Sequence, residues 1–290
     1  MTEIANYCTC FIDLLGQQAK LQGQGLLPEF KTQEEKEHFD TVLMGTIGAI
    51  ERLQRSSTIM RKALIEKDPS KPRYQALSVD EKILFDDMTK HVAIEQRWSD
   101  GLVYFASLAE SHSKCPMNAV IDIFFSAGSL CLIGLACEVP LRGGIDIAWG
   151  VELNPGELYG AALANAYNIE SKEAKYPRVV VSQQTVDYLK VVMETEVNGD
   201  RINALNSQLA LRCLSYLIKD YDGNYIIDHL GDAFVSSFMS TGADSELFFL
   251  AEKFIKAQIA IHSENNNAKL LNRYHQLNDY FNSYAYRYRQ

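Results

Sequence analysis

The stretch YCTCFIDLLGQQ, residues 7–18, alternates over its first eight positions. Tyr7, Thr9, Phe11 and Asp13 fall on one face of an extended strand, and Cys8, Cys10, Ile12 and Leu14 on the other. One face is continuously apolar, and a carboxylate emerges from the opposite face where the strand ends. Gly16 breaks the strand.

Outward from this strand, helices and strands alternate. A helical pattern runs from about residue 34 to 66 and is ended by KDPSKPR, 67–73. Ser78 and Glu81 have the spacing of a capping box and predict a helix over 78–91. Residues 92–108, VAIEQRWSDGLVYFASL, read as a hairpin turning at WSDG. A buried helix is expected over 117–138. In LRGGIDIAWGVEL, from residue 141, Ile145, Ile147, Trp149 and Val151 oppose Asp146, Ala148 and Gly150, the pattern of a half-buried strand. A helix over 157–174, the strand RVVVS (178–182) and helices over 183–196 and 200–219 follow. DGNYIID (222–228) adds a turn and strand, and 243–284 is mostly helical. The expected class is α+β, a central sheet with helices packed on it and a C-terminal helical extension. The boundary is placed between a catalytic unit, 1–230, and the extension, 231–290, packed on that unit or at a dimer interface.

The formal charge of −9 argues against a general binder of nucleic-acid backbones, which neutralise phosphates with clustered Lys and Arg. The basic, tyrosine-rich end RYHQLNDYFNSYAYRYRQ therefore reads as an interface helix. Six cysteines show no C-x-x-C pair and no zinc-finger partner, so they read as small hydrophobes in a reducing cytoplasm. The start MTEIANYC has no signal-peptide pattern. In AVIDIFFSAGSLCLIGLACEVPL, Asp122 and Glu138 enclose only 15 uncharged residues, too few for a membrane span.

Asp100 repeats the situation of Asp13, a carboxylate at a turn between apolar strand residues. If the two strands are neighbours, both acids converge above one sheet edge. Two hard oxygen ligands with open positions suit Mg²⁺ or Mn²⁺ bound with substrate phosphates, which points to metal-assisted phosphoryl chemistry. The plainer alternative is two unrelated turn residues, since Asp is common where chains reverse.

The order of features narrows this choice. FIDLLG (11–16) resembles the first metal motif of class III nucleotidyl cyclases, and RWSDGLVYF (97–105) their second metal hairpin. LRGGIDIAWG (141–150) and YGAALANAYNIESKEAKYPRVVVS (159–182) are similar to the strand, helix and strand that follow. The wording of these segments, with the tail LLNRYHQLNDYFN (270–282), resembles the stand-alone pyrimidine cyclases of bacterial antiphage (Pycsar) systems. The resemblance implies a cytoplasmic homodimeric enzyme, a phosphorus–oxygen lyase converting a pyrimidine triphosphate to a 3′,5′-cyclic monophosphate and pyrophosphate. UTP is favoured over CTP, and the product would activate a separate effector. No nucleic acid or membrane partner is implied.

Carried over by position, Asp13 and Asp100 take the metal-aspartate places, and Leu14 the place whose backbone carbonyl completes the shell of two Mn²⁺ or Mg²⁺ ions. Phe11 lies within this nucleotide-binding motif. The backbone N–H groups of Leu15, Gly16 and Gln17 are placed to cradle the triphosphate, with Gly16 removing a Cβ obstacle. Gln96 and Glu157 take the two base-reading places. The Asn and Arg that relatives present on the helix after Gly160 are replaced by Ala164 and Asn168. Arg97, Arg142, Lys175 and Arg178 are therefore the candidate cations, although Arg142 and Arg178 also suit structural pairing. Tyr167, Tyr176 and Trp98 fit core or dimer packing better than base stacking. A catalytically weak or inactive nucleotide-binding regulatory module is the alternative reading.

Overall fold

The computed structural model describes residues 3–22, 25–65, 72–88 and 92–284. Its strands are β1 (Ala5–Leu14), β2 (Ile94–Trp98), β3 (Gly101–Ser107), β4 (Leu141–Asn154), β5 (Glu157–Gly160), β6 (Val179–Val181), β7 (Leu217–Lys219) and β8 (Tyr225–Ile227). They form one sheet in the order β2-β3-β1-β4-β6-β8-β7, with β5 paired to β4. Every pairing is antiparallel except that of β4 with β6, so the chain is α+β. The first four strands, ordered β4-β1-β3-β2, form a split βαβ arrangement, with helices crossing from β1 to β2 and from β3 to β4.

The alternation read in the first strand decides the two faces of the sheet. Cys8, Cys10, Ile12 and Leu14 join the main core, while Tyr7 and Phe11 join a smaller cluster with Val103, Phe105, Ala162 and Ala166. On the main-core face lies α6 (Met117–Ala136). It is long and apolar enough to cross a membrane by length and composition, yet most of it is buried within the protein. A helix apolar all round needs cover on every side. The sheet supplies it on one side, and α3 (Ile47–Ile65), α9 (Arg201–Ser215) and α11 (Glu246–Glu264) on the others. On the opposite face lies α7 (Ala161–Lys172).

The C-terminal helices α10 (Asp232–Met239), α11 and α12 (Ala268–Ser283) bury Phe234, Phe238, Phe248, Phe254, Tyr274 and Phe281 in this same core. The segment from 231 is thus packed on the rest of the chain. Tyr280 and Tyr284 of this end donate hydroxyl hydrogen bonds to the two oxygens of Asp228, at 2.8 and 2.7 Å. The apolar face of α12 is therefore covered by its own chain, the first of the two placements expected for the extension; 285–290 lie outside the described residues.

Several boundaries differ from the sequence reading. The pattern over 34–66 divides at Thr46, whose backbone leaves the helical region, giving α2 (Gln33–Gly45) and α3; residue 66 lies outside the described residues. Thr32 caps α2 through a complete capping box with Glu35. A short α4 (Pro72–Gln75) precedes α5 (Val79–Met88), which begins at the expected Ser78–Glu81 box; 89–91 lie outside the described residues. The helix expected from 157 begins only at Ala161, because 157–160 pair with β4 as β5. That expected to 219 stops at Ser215, and 217–219 form an edge strand. After β6, α8 (Gln183–Met193) is capped by Ser182. All six cysteines are free and only Cys137 is exposed.

Candidate active site

The register of β1 brings the site together. Asp13 stands opposite Gly101 on β3 and opposite Arg142 on β4. Gly101 follows Asp100 directly, so both carboxylates reach the same sheet end. Beside them lies an open cavity of about 600 Å³, lined by Asp13, Asp100, Arg142, Phe11, Trp98 and Tyr167 among others. Leu14, Leu15, Gly16 and Gln17 form another part of its wall. Gln17 is the first residue of the short α1 (Gln17–Leu21).

A third carboxylate, not singled out in the sequence, lines the same cavity. Glu170 of α7 is buried and forms an ion pair with the Nε of Arg142. It reaches the site because Gly144 allows α7 to lie against β4: a Cβ there would meet the Ala166 carbonyl oxygen at 2.4 Å and the Glu170 nitrogen at 2.7 Å. Its signal was visible in the sequence. Ala162, Ala166 and Glu170 recur every four residues, so a carboxylate falls on the buried stripe of a helix.

Three carboxylates and one arginine thus share the cavity. Burial raises the Asp13 carboxyl to about 7, and the charges of Glu170 and Asp100 add to the effect; Arg142 and a backbone hydrogen bond at Leu14 oppose it. Burial likewise raises Glu170, against the pull of Arg142. Asp100 has no hydrogen-bond or ion-pair partner among the described residues. Such a set is short of positive charge, and the donor oxygens of Asp13 and Asp100 fit a divalent cation. No group of three or more ligating side chains has metal-site geometry among the described residues, so the fit rests on the two aspartates.

The remaining candidates separate. Trp98 and Tyr167 are half exposed and flank Phe11, with ring centroids 6.2 and 5.3 Å from it, so both line the cavity; Tyr176 is buried core. The Leu15 N–H donates to the Pro140 carbonyl at 2.9 Å, which removes it from a phosphate cradle. Gly16 is needed for its backbone, φ 86°, and a Cβ there would meet no protein atom within 4 Å, so a conformational reason for glycine stands at this position.

Arg97 is exposed and bound to Glu95 and Gln54, and Lys175 is exposed away from the cavity. Arg178 is sealed between Asp220 and Asp222, with its guanidinium 4.6 Å from the Tyr176 ring centroid. None of the three lines the cavity; of the four candidate cations only Arg142 does. Gln96 stands opposite Val103 and so shares the face of Trp98, but it lies beyond the cavity lining. Glu157 sits exposed on β5, hydrogen-bonded to Asn154 at 2.6 Å. Asn168 faces a second cleft, of about 430 Å³, with Asn165, Ser182 and a buried Asp146.

The chain matches no family model, and no curated protein sequence matches it.

Proposed function

We propose that the protein is a metal-dependent nucleotidyl cyclase of the class III type, forming a 3′,5′-cyclic pyrimidine nucleotide and pyrophosphate, with UTP preferred to CTP. The observation that carries this reading is the convergence of Asp13 and Asp100, from two paired strands, on one open cavity deficient in positive charge. Asp13, Asp100 and the Leu14 carbonyl would hold two Mn²⁺ or Mg²⁺ ions, which lower the pKa of the ribose 3′-hydroxyl and neutralise the phosphates when bound. Arg142 is the side-chain cation within reach of the phosphates, and Glu170 fixes its orientation. Trp98, Phe11 and Tyr167 offer an aromatic wall to the nucleoside.

A homodimer belongs to this proposal. Trp149, Leu153 and Tyr159, on β4 and β5, are at least half exposed, and an apolar patch of this kind suits a second copy. Light scattering showing only a 32.7 kDa species with full activity would count against it. The cyclic product would act on a separate effector in antiphage defence.

The alternative, a nucleotide-binding regulatory module without turnover, is favoured by one observation. Asn168, one of the two places at which the class III cyclases that the sequence resembles carry Asn and Arg, opens onto the second cleft, and Ala164 holds the other. Incubation of the purified chain with Mn²⁺ and each of the four nucleoside triphosphates separates the readings. Cyclic product with pyrophosphate supports the enzyme, and binding without either product supports the module.

A further inference from the structure

Gln17 has an unusual environment for an amide. It lines the cavity with Asp13 and Asp100, yet the residue is only 4% exposed. Its Oε1 is sealed from solvent and accepts no hydrogen bond among the described residues. A buried amide oxygen without a donor is unfavourable, and in a native protein it calls for a bound partner or an ion. Nothing in the capping of α1 uses the side chain, because Gly16 occupies the cap position. The cavity around it is rich in carboxylates, and its one arginine is committed to Glu170.

We propose that Gln17 supplies a neutral oxygen to one of the divalent cations that Asp13 and Asp100 would hold, either directly or through one coordinated water. Amide carbonyls are ordinary hard-cation ligands. The terminal torsion of glutamine is broad and roughly two-fold, so Oε1 and Nε2 can exchange places and either end can be offered to a ligand. Before the cation arrives, the amide nitrogen is the end better suited to face carboxylates. With the cation bound, the oxygen gains the partner it lacks. The inference rests on the reading of the carboxylate pair as a cation site and adds a ligand to it. Gln17 is on this account a positioning and affinity residue.

The test uses the full chain and Mn²⁺ alone, with the free-ion electron paramagnetic resonance signal as the readout, for wild type, Asp13→Asn and Gln17→Leu. Gln17→Leu is expected to weaken Mn²⁺ binding by about tenfold, the effect typical of losing one supporting contact at a metal. Its metal-free melting temperature is expected to stay level or rise, since an unpaired buried oxygen has been removed. A role confined to packing would not separate these two readouts. Mn²⁺ affinity within twofold of wild type in folded Gln17→Leu would overturn the inference. If Asp13→Asn abolishes binding in the same series, the cation site itself stands. Absence of Mn²⁺ binding by wild type would overturn both. Should Gln17→Leu not fold, Gln17→Glu decides in its place. Tighter binding is expected from the added charge, and unchanged binding would count against the inference.

Discussion

Arg142 and Arg178 stand at the beginnings of two neighbouring strands, β4 and β6, and the Gly143 N–H donates to the Arg178 carbonyl between them. Their fates differ. Arg178 is 1% exposed, held by two aspartates and the Glu173 carbonyl, and covered by Tyr176. Arg142 is 20% exposed, has one carboxylate partner, and stands opposite Asp13 on the paired strand, beside an open cavity. The same side chain is thus a structural clamp in one place and part of an open, charge-deficient site in the other. What separates them is the number of acids that reach each one, and whether the surrounding wall closes.

The sharpest way to break the comparison is to neutralise the acids of the open site. If the proposed cyclase reading holds, Asp13→Asn and Asp100→Asn are each expected to leave less than roughly a tenth of wild-type turnover, because each would remove a carboxylate from the proposed cation site at a half-buried strand end. Retention of more than that by either folded variant would separate Asp13 and Asp100 from the chemistry. Asp13→Asn should also change the pH dependence of folding. Folded Asp13 keeps its proton up to about 7, whereas the unfolded side chain loses it near 3.8. The native state binds more protons in that window, so the metal-free protein loses stability as pH rises through it. Thermal melting without metal is expected to show this slope in wild type and a shallower one in Asp13→Asn. Cation affinity should run the opposite way, rising with pH up to about 7, since binding displaces the Asp13 proton.

The clamp is expected to fail differently. Arg178→Met leaves Asp220 and Asp222 facing each other without a counter-charge, a change that typically costs about 3–5 kcal/mol. The loss should appear in denaturant unfolding, with turnover per folded molecule little changed. A variant that melts like wild type but is inactive would move Arg178 from the clamp to the site. Arg142→Met should reverse this balance. Its stability loss is expected to be the smaller of the two, and its turnover to fall roughly 10- to 100-fold, as for the loss of a charge-assisted hydrogen bond. Glu170→Gln should move turnover in the same direction but less, since the arginine stays and only its tether weakens. If Arg142→Met instead loses stability without losing turnover per folded molecule, the two arginines are equivalent and the comparison collapses.

This contrast also marks what could be seen in the sequence. The two-fold alternation of residues 7–14 was enough for both faces of β1, and the hairpin pattern was enough for the turn that carries Asp100. Local periodicity does not report partners from distant segments. Asp220 and Asp222 lie 42 and 44 residues from Arg178, and Glu170 lies 28 from Arg142, so neither pairing had a local signature. Residues 157–160 adjoin the helical stripe of α7 in sequence, yet pairing with the end of β4 makes them a strand. Glu157 was carried outward with them.

The smallest expected effect concerns the base. Gln96 lies two residues before Trp98 on β2 and shares its face, and its Oε1 is sealed and accepts no hydrogen bond among the described residues. A glutamine amide both donates and accepts, and the O4 and N3–H edge of uracil complements it. Cytosine offers a donor at N4 and an acceptor at N3, which the amide can meet only after turning over. Rejection of cytosine therefore requires the protein to hold the amide in one orientation, so that the wrong base edge leaves a buried polar group unsatisfied. Gln96 lies outside the cavity that holds Asp13, so contact with a base bound there requires a nucleotide extended along the β2 face or a site completed by a second copy. UTP is expected to be cyclised best, CTP less well and purines poorly, with Gln96→Ala narrowing the UTP-to-CTP ratio by severalfold while leaving stability nearly unchanged. Preferred turnover of ATP or GTP would end the pyrimidine reading. An unchanged ratio in Gln96→Ala would remove Gln96 alone, and leave selectivity to the width of the wall formed by Trp98, Phe11 and Tyr167.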